Sequence, residues 1–70
     1  MTKVKVRQDL IEDGCIPPVS SGYFPIKDVD KTFLAVQPDE LDNYFWNMII
    51  IDEKTESMYI VNSIDFDFID

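Results

Sequence analysis

Tyr44-Phe45-Trp46-Asn47-Met48-Ile49-Ile50-Ile51, then Asp52-Glu53-Lys54-Thr55-Glu56, then Ser57-Met58-Tyr59-Ile60-Val61: this stretch decides the fold class. Its first segment is the most apolar in the chain. A short amphipathic helix over residues 39–48 competes for part of it. Aromatic and β-branched side chains, however, suit a pleated, half-buried surface better than a helix face. The five polar residues that follow read as a turn, and the apolar pattern then resumes. Residues 44–61 are therefore predicted to form one β-hairpin.

Working outward, Thr32-Phe33-Leu34-Ala35-Val36 is a second predicted strand. Gln37 to Asn43 interrupts it, and Pro38 with its neighbouring acids suits a single helical turn. At the two ends, Lys3-Val4-Lys5-Val6-Arg7 and Ile64-Asp65-Phe66-Asp67-Phe68 alternate strictly, which is the period of strands with one buried face. Residues 8–30 lack periodicity and collect turn formers: Asp13-Gly14, Pro17-Pro18, Ser20-Ser21-Gly22 and Pro25. The proline pair excludes a helix there. A connection this long in a small domain should be packed down by its own side chains. Ile16, Val19, Tyr23, Phe24 and Ile26 can supply that packing, with a short strand expected near residues 23–26.

The order is strand, long loop, strand, shorter loop, hairpin, two-residue break and terminal strand. In order and spacing the chain resembles an SH3-like five-stranded small barrel. Residues 30–36 fall where such domains enter their second strand, and Tyr44-Phe45-Trp46 where an aromatic pair opens the third. Met58-Tyr59-Ile60-Val61-Asn62-Ser63-Ile64 is similar to the strand, 3₁₀ turn and strand that end that fold. The resemblance implies an all-β, five-stranded barrel over residues 1–70, with a long loop after its first strand. It does not imply proline-rich peptide binding. Val4-Lys5-Val6-Arg7 replaces the family's Ala-Leu-Tyr-Asp-Tyr pattern, and Val61 and Ile64 occupy its ligand-contacting Pro and Tyr positions.

Composition narrows the function. The chain has 70 residues and no His, which excludes Ser-His and Cys-His nucleophile pairs and imidazole metal sites. A lone cysteine, Cys15, excludes an intramolecular disulfide and a cysteine zinc cluster. With two glycines, no glycine-rich phosphate loop can be assembled. No apolar run approaches a membrane span or a secretion signal, so a cytoplasmic protein is expected. Asp28 with Asp30, and Asp65 with Asp67, would each place two carboxylates on one strand face. Without a third acid nearby they read as solvated or cation-paired, and no metal site or cofactor is assigned. No catalytic residue is assigned either.

The net charge is −8, and it is uneven. Residues 1–35 balance five cations against five acids, whereas residues 36–70 set Lys54 alone against nine acids. Such a field repels nucleic acid and anionic membranes and favours a basic partner. The middle strands are apolar on both faces, so one face should turn outward unless residues 8–30 cover it. The reading is a non-enzymatic inhibitor or antidote-like protein, of the kind carried by phages and mobile elements. It would block a basic, nucleic-acid-handling surface of a partner protein. The assigned contact residues are Asp39, Glu40, Asp42, Tyr44, Phe45, Asp52, Glu53 and Glu56. The alternative is an SH3-like adaptor that binds, or forms a homodimer, through the apolar patch, with charge serving solubility alone.

Overall fold

Alternation at both ends of the chain becomes pairing between them. In the computed structural model, which describes residues 2–36 and 45–69, strand β1 (Thr2–Val6) lies antiparallel to the terminal strand β7 (Phe66–Phe68). Its other edge pairs antiparallel with β4 (Phe33–Val36), which pairs with β5 (Met48–Ile51), which pairs with β6 (Met58–Val61). The result is one antiparallel five-stranded sheet in the order β6-β5-β4-β1-β7. It is open, with β6 and β7 as its two edges. All-β architecture and the hairpin are as the sequence predicts, although the hairpin's first strand starts only at Met48. Phe45 and Trp46 lie in a bend before it. The predicted helical turn in 37–43, and Tyr44, lie outside the described residues.

The register sorts the side chains. Val4, Val6, Phe33, Ala35, Met48, Ile50, Val61 and Phe66 point to one face and are buried. Residues 8–30 cover this face rather than the other one. Within them α1 (Gln8–Glu12) is a short helix that the loss of periodicity concealed. It is closed by a Schellman motif, in which Gly14 sits at φ +71°. The Cys15 amide donates to Leu10 O at 2.8 Å and the Gly14 amide to Ile11 O at 3.1 Å. A two-stranded ribbon follows, β2 (Pro18–Val19) with β3 (Gly22–Tyr23), so the expected strand near 23–26 ends earlier. Residues Ile26–Asp28 form a 3₁₀ turn instead. Val19 and Phe24 enter the core, where the Phe24 ring meets Phe33, Tyr59 and Phe66 at centroid distances of 5.4, 5.5 and 6.2 Å. The Ser20 amide donates to Ile60 O at 2.9 Å, tying the ribbon to the β6 edge.

Ser63–Asp65 form a second 3₁₀ turn, capped by the Asn62 side chain accepting from the Ile64 amide at 3.0 Å. This overturns the reading of Ile64 and Asp65 as strand residues. Asn47, which alternates with Phe45, Ile49 and Ile51 along the sequence, anchors the same turn: its Oδ1 accepts from the Ser63 amide at 2.8 Å.

Candidate functional site

The second face of the sheet carries the other half of the apolar alternation. Leu34, Ile51 and Met58 stand opposite one another across β4, β5 and β6, and Val36, Ile49 and Ile60 form the adjacent row. All are half-buried except Met58, which is 60% exposed. Six aliphatic side chains on one outward sheet face form the kind of patch that protein contacts use. The row continues onto β1 at Lys3, which stands opposite Leu34. Next to it Lys5 stands opposite Asp67, one of the pairs expected if the outward Lys3, Lys5 and Arg7 of the first strand face the outward Asp65 and Asp67 of the last. The Lys5 ammonium itself donates to Gln8 Oε1 at 3.2 Å.

The β5–β6 turn bounds this face, and here the acids divide. Asp52, which the sequence places among the contact residues, is 5% exposed and holds the turn together instead. Its Oδ1 accepts from the Lys54 amide at 2.9 Å, its own amide donates to Ser57 O, and its carbonyl accepts from the Glu56 amide. Lys31 Nζ reaches Asp52 Oδ2 and Asp28 Oδ1, each at 3.1 Å. Asp28 is 6% exposed, and its Oδ1 has no hydrogen bond at good geometry among the described residues, so Lys31 compensates it chiefly by charge. The Lys54 amide, and then Lys31, hold the Asp52 carboxyl below the usual carboxylate range. Asp52 and then Asp28 raise the Lys31 ammonium. Two buried carboxylates around one ammonium form a clasp between the long loop and the hairpin turn. Asp52 is therefore structural. The signal that could have found it is local: an Asp opening a polar turn commonly bonds the amide two residues on.

Glu53 and Glu56 remain exposed on the turn, and Glu56 adopts φ 61°, a left-handed conformation that a side chain rarely takes. Phe45 is 44% exposed and stacks edge-on against Trp46 at 4.6 Å. Trp46 alternates with Met48 and Ile50 in the sequence, which predicts it in the core or at the core edge; it is half-buried and outside the buried cluster. Asp39, Glu40, Asp42 and Tyr44 lie outside the described residues. The structure thus brings Glu53 and Glu56 onto one exposed turn beside the aliphatic face and removes Asp52 from it.

The paired-carboxylate readings also change. Asp28 lies in a 3₁₀ turn and is ion-paired, so it shares no strand face with exposed Asp30. Asp65 lies in the second 3₁₀ turn while Asp67 is in β7. Partial burial pushes the Asp65 carboxyl upward, opposed by the nearby Arg7. Arg7 is engaged with Asp9 and donates to Ile64 O at 2.9 Å. Among the described residues no group of three or more metal-ligating side chains converges. No described helix is long and apolar enough to cross a membrane.

Comparison with protein-family models, curated proteins and solved structures found no match.

Proposed function

We propose that the protein is a non-enzymatic binding domain of the SH3-like small-barrel type that blocks a basic, nucleic-acid-handling surface of a partner protein. The fold part rests on two features that such a barrel has: a terminal strand beside the first, and a 3₁₀ turn leading into it. The observation that carries the functional part is the outward aliphatic face formed by Leu34, Val36, Ile49, Ile51, Met58 and Ile60, bounded by the exposed Glu53 and Glu56. An apolar centre with a charged rim matches how protein interfaces divide affinity from steering. With eight surplus negative charges, approach to a basic surface is accelerated and approach to nucleic acid is opposed.

A second reading is favoured by the same face: an adaptor or homodimer in which the aliphatic contacts dominate and the charge serves solubility. Ionic strength separates the two, because charge-led association weakens steeply with salt and patch-led association does not. The experiment is capture from a lysate of the protein's own host by the immobilised wild type, by Glu53→Lys/Glu56→Lys and by Ile49→Ser, at rising salt. Loss of a captured protein with the double charge reversal and with salt supports the blocking reading. Loss with Ile49→Ser alone, insensitive to salt, supports the adaptor. Capture unchanged by either variant overturns both.

A further inference from the structure

A recess lies away from the sheet's outer face, between α1 and the first 3₁₀ turn. Ile11, Gly14, Cys15, Ile16, Ile26 and Val29 line it, and its volume is about 170 Å³. That is well below the ~300–1,000 Å³ of a small-molecule or cofactor pocket. It is close to the ~150 Å³ that accommodates one benzene-sized group. The recess therefore suits a single aliphatic or aromatic side chain. Ile26 forms part of its wall while remaining 70% exposed, so an occupant would cover apolar surface that the fold leaves in water.

The exposed charge on the segments that line it is mostly acidic. Glu12 and Asp13 lie between the lining residues Ile11 and Gly14, and Asp30 follows Val29. All three are exposed, and none forms an ion pair with a described residue. Lys27 is the one cation on the same segments, because Lys31 is committed to Asp28 and Asp52. Three acids against one cation leave these segments net negative, which favours an occupant with cations around an apolar side chain. The protein's own stretch of that pattern, Lys3-Val4-Lys5-Val6-Arg7, does not qualify, since Val4 and Val6 are fully buried in the sheet.

We infer that the recess between α1 and the first 3₁₀ turn is a docking site for a basic polypeptide segment, which inserts one aliphatic or aromatic side chain against Ile26 while its flanking cations face Glu12, Asp13 and Asp30. This site is independent of the outer sheet face, and its failure would leave that reading standing.

Cys15 supplies the reporter, since it is the single cysteine and is exposed within the recess. The probes are blocked peptides Arg-Lys-Leu-Lys-Arg, Arg-Lys-Ser-Lys-Arg and Glu-Glu-Leu-Glu-Glu, with maleimide alkylation of Cys15 and amide NMR shifts as readouts. The leucine-centred basic peptide is expected to slow alkylation and to shift Ile11, Ile16 and Val29. The serine-centred peptide should bind at least tenfold more weakly, about 1.4 kcal/mol per factor of ten. The acidic peptide should not bind. Ile26→Ser, and the triple variant Glu12→Gln/Asp13→Asn/Asp30→Asn, should each lose at least tenfold in affinity while keeping the wild-type spectrum elsewhere. Three results would overturn the inference: unslowed alkylation at saturating peptide, shifts confined to the outer sheet face, or equal binding of the leucine and serine peptides.

Discussion

Phe24 offers the sharpest test of how this chain holds together, because it comes from the long connection rather than from the sheet. Its ring is 2% exposed and lies near edge-on to Phe33 and Phe66, with interplanar angles of 75° and 74°, and tilted against Tyr59. Truncating a buried Phe to Ala costs roughly 3–5 kcal/mol. A chain of 70 residues holds only about 3.5–10 kcal/mol in total, at ~0.05–0.15 kcal/mol per residue. Phe24→Ala is thus expected to leave a marginal or unfolded protein. Phe24→Leu is the more informative change, since it keeps most of the volume and removes the ring contacts, each worth about 0.5–1.5 kcal/mol beyond area. Allowing for partial repacking, we expect a loss of about 1–2 kcal/mol, or a Tm lower by roughly 4–16 °C. The assay is urea unfolding followed by Trp46 fluorescence, with Tyr23→Ala as the control. Tyr23 precedes Phe24 but is 81% exposed, so its removal should change stability by no more than about 0.5 kcal/mol. If Phe24→Leu is as mild as Tyr23→Ala, residues 8–30 do not cover the inner face and the account of the core is wrong.

Glu56→Gly should stabilise the protein by up to about 1 kcal/mol by relieving the left-handed backbone at φ 61°, measured as a higher urea midpoint. Asn47→Ala strips the Ser63 amide of its acceptor and should cost about 1–2 kcal/mol by the same measurement, with the β-sheet circular dichroism unchanged. Asp67→Lys places a cation opposite Lys5 on β1 and should lower stability by about 0.5–1 kcal/mol, an effect that added salt reduces. Asp52 has its carboxyl lowered in the folded state, so its stabilisation is present above the unfolded carboxylate value and is lost as pH falls through the folded one. Asp52→Asn should accordingly lower Tm at neutral pH and flatten the acid limb of a Tm-against-pH profile.

The fold was legible where side-chain period and burial coincide. Val4 and Val6 against Lys3, Lys5 and Arg7 already imply one buried face, and Ile50 and Met48 against Ile49 and Ile51 imply a strand between two environments. What the period could not report is chain whose order comes from caps and tertiary contacts. The α1 helix is five residues long, too short for a 3.6-residue repeat to accumulate, and its clearest sign is Gly14 closing it. Ile64 and Asp65 continue the alternation of the last strand in sequence, yet Asn62 and Asn47 accept the Ile64 and Ser63 amides and hold that segment in a 3₁₀ turn. For the candidate site, net charge located the acidic half of the chain but could not distinguish an acid in solvent from one in a clasp. Lys31 lies 21 positions from Asp52, a separation at which no local pattern signals pairing.

That distinction redraws the electrostatic surface. Among the described acids, Asp9 is paired with Arg7, and Asp28 and Asp52 share Lys31, so these three add little to the outward field. Asp67 faces Lys5 across the terminal strands. Asp65 lies near Arg7, which opposes its charge. Of the other described acids, Glu53 and Glu56 lie on the hairpin turn, and Glu12, Asp13 and Asp30 on the segments that line the recess beside α1. Each group adjoins apolar surface that the fold leaves accessible, in one case an aliphatic sheet face and in the other a recess sized for one side chain. An extended basic partner could engage one group by its face and the other by a single inserted side chain. Neutralising either group alone should then weaken binding by less than neutralising both.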